Sequence, residues 1–147
     1  MGHDYIDIGS SQLRLNDFHI WTLRHFFLDA ATNATSDLFN TDEASFRELL
    51  AFLESWQWLG PGIIVGCDFN NFTTSPDRFS MILLLAKVTR DNLAKFGTTI
   101  PLSYLDQHVN GPTAWYTTPP PVATFTDIID RMIGLIQEKV SDNQVNF

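Results

Sequence analysis

Apolar positions along this chain change period several times, and each change marks a different element. Tyr5-Ile6-Asp7-Ile8 and Leu13-Arg14-Leu15 alternate apolar and polar residues on either side of Gly9-Ser10-Ser11-Gln12. That period of two, interrupted by turn-forming residues, predicts a hairpin or a bent edge strand. From Phe18 to about Thr32 the period lengthens. Phe18, Trp21, His25 and Leu28 fall on one helical face, Ile20, Leu23 and Phe27 widen it, and Asn16 or Asp17 is placed to cap it. So broad an apolar arc predicts a deeply buried helix, with His25 packed against Trp21. After the polar connection from Asn33 to Asn40, Thr41 caps a second helix. Asp42 and Glu43 favour its first turn, and Phe46, Leu49, Leu50, Leu53 and Trp56 form its stripe.

Leu59-Gly60-Pro61-Gly62 ends that helix, and Ile63-Ile64-Val65-Gly66-Cys67 follows as a β-branched run bounded by glycines. Such a run predicts a strand buried on both faces. Beyond a loop from Asp68 to Thr74, Ser75-Pro76-Asp77 provides a cap, a proline at the first helical position and a first-turn acid. A long helix is predicted from Pro76 to about Phe96, with Phe79, Ile82, Leu83, Ala86 and Leu93 on its main face, Met81, Leu84, Leu85 and Val88 on its flank, and Gly97 as its stop. The pattern weakens from Thr98 to Ala123. There the residues predict an extended Ile100-Pro101-Leu102, a short helix over Ser103 to Val109, a turn at Asn110-Gly111-Pro112, an edge strand over Thr113 to Thr118 and an exposed polyproline stretch at Pro119-Pro120-Pro121. Thr124 or Thr126 then opens a last amphipathic helix, in which Phe125, Ile128, Ile129, Met132, Ile133, Ile136 and Val140 keep the i, i+3, i+4 rhythm.

This order predicts a single α+β domain over residues 1–147: four main helices packed on a small three- or four-stranded sheet, with a central strand near 62–67. The composition agrees with a globule, since 44% of the 147 residues are hydrophobic and 12 are Phe. The longest apolar run, Met81 to Ala86, is far shorter than the roughly 20 residues a membrane helix needs. Neither a basic region nor an apolar run opens the sequence, so no secretory signal is expected and the cytoplasm is the expected location. A single Cys makes no internal disulfide, which suits a reducing compartment.

Charge changes the picture. The formal net charge is -8, and residues 1–77 hold eleven acids against three bases, while the remainder is balanced. A field of that sign repels nucleic acid and anionic lipid and complements a basic protein. Asp37, Asp42, Glu43, Glu48 and Glu54 fall in or beside one loop and helix, where they are able to act together. Trp58, Trp115 and Tyr116 stand outside the apolar stripes, either as interface anchors or as lids over irregular segments.

Signals of chemistry are sparser. Cys67-Asp68-Phe69-Asn70-Asn71 leaves the end of the predicted central strand, where open sheets place ligand groups. Asp68 with Asn70, Asn71 and the distant His108 would form a small ligand site, although Asp and Asn also serve there as turn formers. Cys67, His108 and Asp106 supply the residue types of a thiol nucleophile, its base and its orienter, without any spacing that brings them together. His19 and His25 lie about 240° apart around one helix and cannot share a metal. The glycines Gly60, Gly62 and Gly66 flank a strand rather than leading from it into a helix, so they form no phosphate cradle. No metal and no cofactor are expected.

The resulting expectation is a protein-binding module without catalytic activity: an acidic inhibitor or immunity-type protein that neutralises a basic toxin or nuclease. A small enzyme or ligand-binding domain at the Asp68 loop and a homodimeric chaperone or subunit are the alternatives, with monomer and homodimer both open.

Overall fold

A computed structural model describes residues 3–34, 43–60, 63–109 and 116–143. It opens with strands β1 (His3–Ile8) and β2 (Ser11–Asn16), paired antiparallel with Ile6 opposite Leu13 and Ile8 opposite Ser11. Ile6, Ile8, Leu13 and Leu15 all face inward, as their alternation requires. Gly9 takes a positive φ of 63° in the two-residue turn, and a Cβ there would collide with the stem of Lys139 from the last helix.

Strand β2 runs directly into helix α1 (Asp17–Thr32), with the Asn16 side chain accepting a hydrogen bond from the Phe18 N–H at 2.9 Å. Phe18, Ile20, Leu23, Phe26, Phe27, Ala30 and Ala31 are buried, so the arc closes almost around the helix. Helix α2 (Glu43–Glu54) buries Leu49 and Leu53 against α1. Helix α3 (Pro76–Ala94) starts at the Ser75 cap with proline in its first turn. Met81 and Leu85, expected on its flank, are fully buried, whereas Leu83 of the expected main face is half-buried. The face is displaced because α3 is held between α1 and the long α5 (Val122–Asn143). Helix α5 buries Phe125, Ile128, Ile129, Met132, Ile133 and Ile136 on the stripe its sequence predicts.

The sheet differs from expectation. Helix α2 stops at Glu54 instead of running to Gly60, because Trp56 turns into the core against Phe27, Phe52 and Phe69. Gln57–Gly60 becomes strand β3, paired antiparallel with β4 (Ile63–Val65), and a register irregularity falls between Trp58 and Gly60. The expected central strand near 62–67 is therefore the second arm of an outer hairpin, and only Ile64 of β4 is buried. Among the described residues, two separate two-stranded sheets stand in place of the expected three- or four-stranded one.

A side chain explains the separation. Asp4 Oδ2 accepts the Ile64 N–H at 2.6 Å, occupying the edge of β4 where the backbone of β1 would otherwise pair. Beyond it the hairpins touch through one parallel bridge, Asp7 with Asp68, in which the Asp7 N–H donates to the Cys67 carbonyl at 3.0 Å. The fold class remains α+β, with five helices among the described residues.

Phe69–Phe72 forms a 3-10 turn, and helix α4 (Leu102–His108) matches the short helix expected there. The proline stretch is not simply exposed. Pro120 is buried and its carbonyl accepts the Ile100 N–H at 2.9 Å, while the Val122 N–H donates to Thr98 at 2.9 Å, clipping the chain on both sides of α4. Most of the edge strand expected over Thr113 to Thr118 lies outside the described residues, and Tyr116 to Thr118 are not strand. Side chains from every element join one buried cluster.

Gly66 joins β4 to the loop at a φ of 96°, and a Cβ on it would lie 3.4 Å from both the Ser55 carbonyl oxygen and Trp56 Cα. Gly66→Ala is expected to lower unfolding free energy by about 1–2 kcal/mol through backbone strain. A urea titration reads this as a reduced midpoint at unchanged slope.

Candidate functional site

The strongest departure from an ordinary surface is the outer face of the β3–β4 hairpin. Alternation along β4 turns Ile64 inward and leaves Ile63 and Val65 50% and 42% exposed. On β3, Trp58 faces the core and Leu59 is 62% exposed. Tyr5 of β1, next to the Asp4 that ties β1 to β4, is 43% exposed. Leu59, Ile63 and Val65 share the outward face of this hairpin, and large apolar side chains gathered in this way, instead of being scattered singly, mark an interaction surface.

Carboxylates border this face. Asp4 and Asp7 come from β1, the exposed Glu54 precedes β3 and the exposed Asp68 follows β4. Asp7 Oδ1 is buried with no hydrogen-bond partner among the described residues. Arg24 reaches the same end of α2, where its guanidinium donates to the Leu53 and Glu54 carbonyls at 3.1 and 3.3 Å and covers the Trp21 ring at 4.6 Å. Burial lowers its pKa, against the opposing pull of Glu54. Arg24 is thus committed to capping α2 and does not neutralise the acids of β1.

The other expected acids are differently placed. Glu43 pairs with Arg47 at 2.6 Å, an exposed i, i+4 pair worth about 0.3–0.5 kcal/mol. Glu48 takes Arg78 through both oxygens, at 3.2 and 2.7 Å. Asp37, Asp42 and Trp115 lie outside the described residues. Tyr116 turns inward: its hydroxyl lies 2.9 Å from the Thr22 hydroxyl and donates to the Phe18 carbonyl, while its ring packs on Phe18 and His19. Burial pushes the Tyr116 hydroxyl up to about 12, although the Thr22 hydrogen bond acts the other way.

The Asp68 loop is held by its own backbone. Asp68 Oδ1 accepts the Asn70 N–H at 2.8 Å, the Asn70 carbonyl accepts from Thr73, and the Asn71 carbonyl accepts from Thr74 and Arg78. His108 instead packs on α4 and α1, with its ring 4.5 Å from Tyr104 and 6.3 Å from His25. Among the described residues no hydrogen bond or ring contact joins His108 to the Asp68 loop. Cys67 is buried beside Asp4 and Asp7, and burial drives its thiol well above the ordinary range, opposite to what a nucleophile requires. Among the described residues no three His, Cys, Asp or Glu side chains gather to hold a metal, and no helix is long and apolar enough to cross a membrane.

Comparison with family models, curated proteins and solved structures finds no match for this chain. The surface must be interpreted from its own chemistry.

Sequence reasoning missed Ile63, Val65 and Tyr5 because they belong to runs that look like core, and Leu59 because it reads as part of the helix-ending Leu59-Gly60-Pro61-Gly62. The mixed period of Gln57-Trp58-Leu59-Gly60, which is strand-like only when paired with 63–65, was the available signal. His25 also differs from expectation: it contacts Phe26, Tyr104 and His108, and its Nε2 lies 2.9 Å from the Tyr104 hydroxyl.

Two outcomes follow from these geometries. Asp68→Asn keeps a good capping side chain and is expected to shift stability by less than about 0.5 kcal/mol, whereas Asp68→Ala costs about 1 kcal/mol in a chemical-denaturation comparison. Burial lowers the His25 pKa, helped by His108 and Arg24 and opposed by Asp29, so the unfolded chain takes up a proton that the folded imidazole resists. Stability is therefore expected to fall as pH drops below 6.5, the ordinary imidazole value, and to fall less in His25→Gln. Denaturation midpoints measured on either side of that pH check the difference.

Proposed function

We propose that this chain is a protein-binding module that docks a basic protein on the β3–β4 face. An inhibitor or immunity-type protein that masks a toxin or nuclease is the form of that activity its charge suits best. The observation carrying the proposal is the exposed set Leu59, Ile63, Val65 and Tyr5, bordered by Asp4, Asp7, Glu54 and Asp68. Apolar groups at the centre of an interface supply affinity by leaving water. Carboxylates at its rim steer a cationic partner and fix its orientation.

Charge also decides between a foreign partner and a second copy. A homodimer across this face would bring the same carboxylates together around its two-fold axis, and like charges in such positions oppose association. The chain's net charge of -8 adds repulsion at long range. A homodimeric chaperone or subunit is thus less well supported than a complex with a basic protein. A site at Asp68 is less well supported too, because the loop's polar groups already satisfy one another. Binding without catalysis, in a reducing cytoplasmic setting that leaves Cys67 as a free thiol, belongs to the same proposal.

The test is capture of a basic protein by the tagged chain, followed by kinetics on the purified pair. Leu59→Ser with Ile63→Ser is expected to weaken the complex at least tenfold, mainly through faster dissociation. Association is expected to slow steeply as salt is raised, while dissociation changes little. Retention of an unchanged partner by the double variant, or equal association rates at low and high salt, would refute this assignment. Asp68→Asn, which preserves the loop, should leave the pattern of captured proteins unaltered.

A further inference from the structure

A second feature lies away from the hairpin face, where the carboxyl ends of α1 and α3 meet α4. A cleft of about 450 Å³ opens there. That volume falls in the lower half of the range of small-molecule sites, roughly 300–1,000 Å³. Its floor is aromatic. Phe96 meets Tyr104 edge-on at 4.8 Å and 68°, Phe26 lies parallel to Tyr104 at 6.0 Å and 6°, and Phe26 meets Phe96 at 6.0 Å and 74°. Tyr104 is fixed by its hydroxyl contact with His25 and by the His108 ring, neither of which lines the cleft. The floor is therefore already ordered before anything binds.

The rim is polar, and its charges are arranged unusually. Asp29 Oδ1 accepts a hydrogen bond from Asn33 Nδ2 at 2.9 Å, which orients the carboxylate and leaves Oδ2 with no partner among the described residues. At the C-cap of α3 the Lys95 ammonium rests 3.4 Å from Asn92 Oδ1. Asp29 and Lys95 line the same cleft but make no ion pair with each other within 4.0 Å. Two opposite charges that border one concavity without neutralising each other present complementary ends to a ligand carrying both. The negative end of the α1 dipole lies here as well, and α1 has no basic residue in its last turn, so an ammonium is favoured on the Asp29 side.

We propose that this cleft binds a small zwitterion with an aromatic or apolar body, of the α-amino-acid type. The ammonium pairs with Asp29, the carboxylate pairs with Lys95, and the side chain covers the rings of Phe96 and Tyr104. A simple hydrophobe would leave both charges unused, and an inorganic ion would leave the aromatic floor unused. The site is independent of the hairpin face and shares no residue with it.

Three probes separate the parts of this recognition: L-phenylalanine, phenethylamine, which lacks the carboxylate, and 3-phenylpropionate, which lacks the ammonium. Titrations followed by amide NMR on the full chain should show saturable shifts for phenylalanine centred on residues 29–33 and 92–96. Phenethylamine should bind more weakly, and 3-phenylpropionate at least tenfold more weakly than phenylalanine, the order of effect for losing one hydrogen bond to a charged group. Asp29→Asn should weaken phenylalanine by about tenfold. Lys95→Met should weaken phenylalanine while leaving phenethylamine unchanged, a pattern that no general loss of folding produces. Amide spectra unchanged away from the cleft confirm that each variant is folded. No saturable shift with phenylalanine at millimolar concentration overturns the proposal. So does equal binding of all three probes, which would mean that ring stacking alone is at work, and so does a folded Asp29→Asn protein that binds as the parent does.

Discussion

Burial of α1 on nearly every side is the constraint from which the rest of the architecture follows. It packs against α2, α3, both strands of the first hairpin and β4, and its inward residues are almost all Phe, Leu, Ile or Ala. A helix covered in this way has little exposed surface on which polar residues are tolerated. Its few buried polar groups are accordingly bonded, Thr22 to the Phe18 carbonyl at 2.7 Å and to Tyr116, and Asp17 to the Phe18 N–H at 3.0 Å. Because β2 enters α1 with no intervening loop, the orientation of the first hairpin is set by the helix. That hairpin in turn brings Asp4 to the edge of β4.

Elements whose pattern is local were legible in the sequence. The Asn16 and Ser75 caps and the stripe of α5 depend on neighbours within four residues and the first hairpin on partners within fourteen, and one sequence carries that information; α3 ends at Ala94, two residues short of the expected Phe96. What escaped was decided between distant segments. Ile63-Ile64-Val65 has the composition of a central strand, and it lies outside only because Asp4, sixty positions away, takes the hydrogen bond that a neighbouring strand would have made. Trp56 fits the α2 stripe equally well as a helical residue; its packing on Phe27 and Phe69 turns the chain there instead. The acids were visible as a group, but their division into paired Glu43 and Glu48 and rim-forming Asp4 and Asp68 depends on where Arg47 and Arg78 reach. The aromatic cleft was hidden for the same reason, since Phe26, Phe96 and Tyr104 meet only when α1, α3 and α4 converge.

The two candidate surfaces obey different physics. On the hairpin face, apolar side chains stand in water and gain by leaving it, with carboxylates whose effect is long-range and weakened by salt. In the cleft, the rings already touch one another and the unpaired charges do the selecting. A macromolecule suits the first arrangement and a small molecule the second.

The contact between the Gly9 turn and Lys139 on α5 joins residues 130 positions apart. Synthesis runs from the amino to the carboxyl end, so the first hairpin is made well before the helix that covers its turn. Until α5 arrives, the hairpin and the α3 face that α5 covers remain open to solvent. Final consolidation of this fold therefore waits until α5 has been synthesised, and the period before it is when exposed apolar surface makes the nascent protein most prone to self-association.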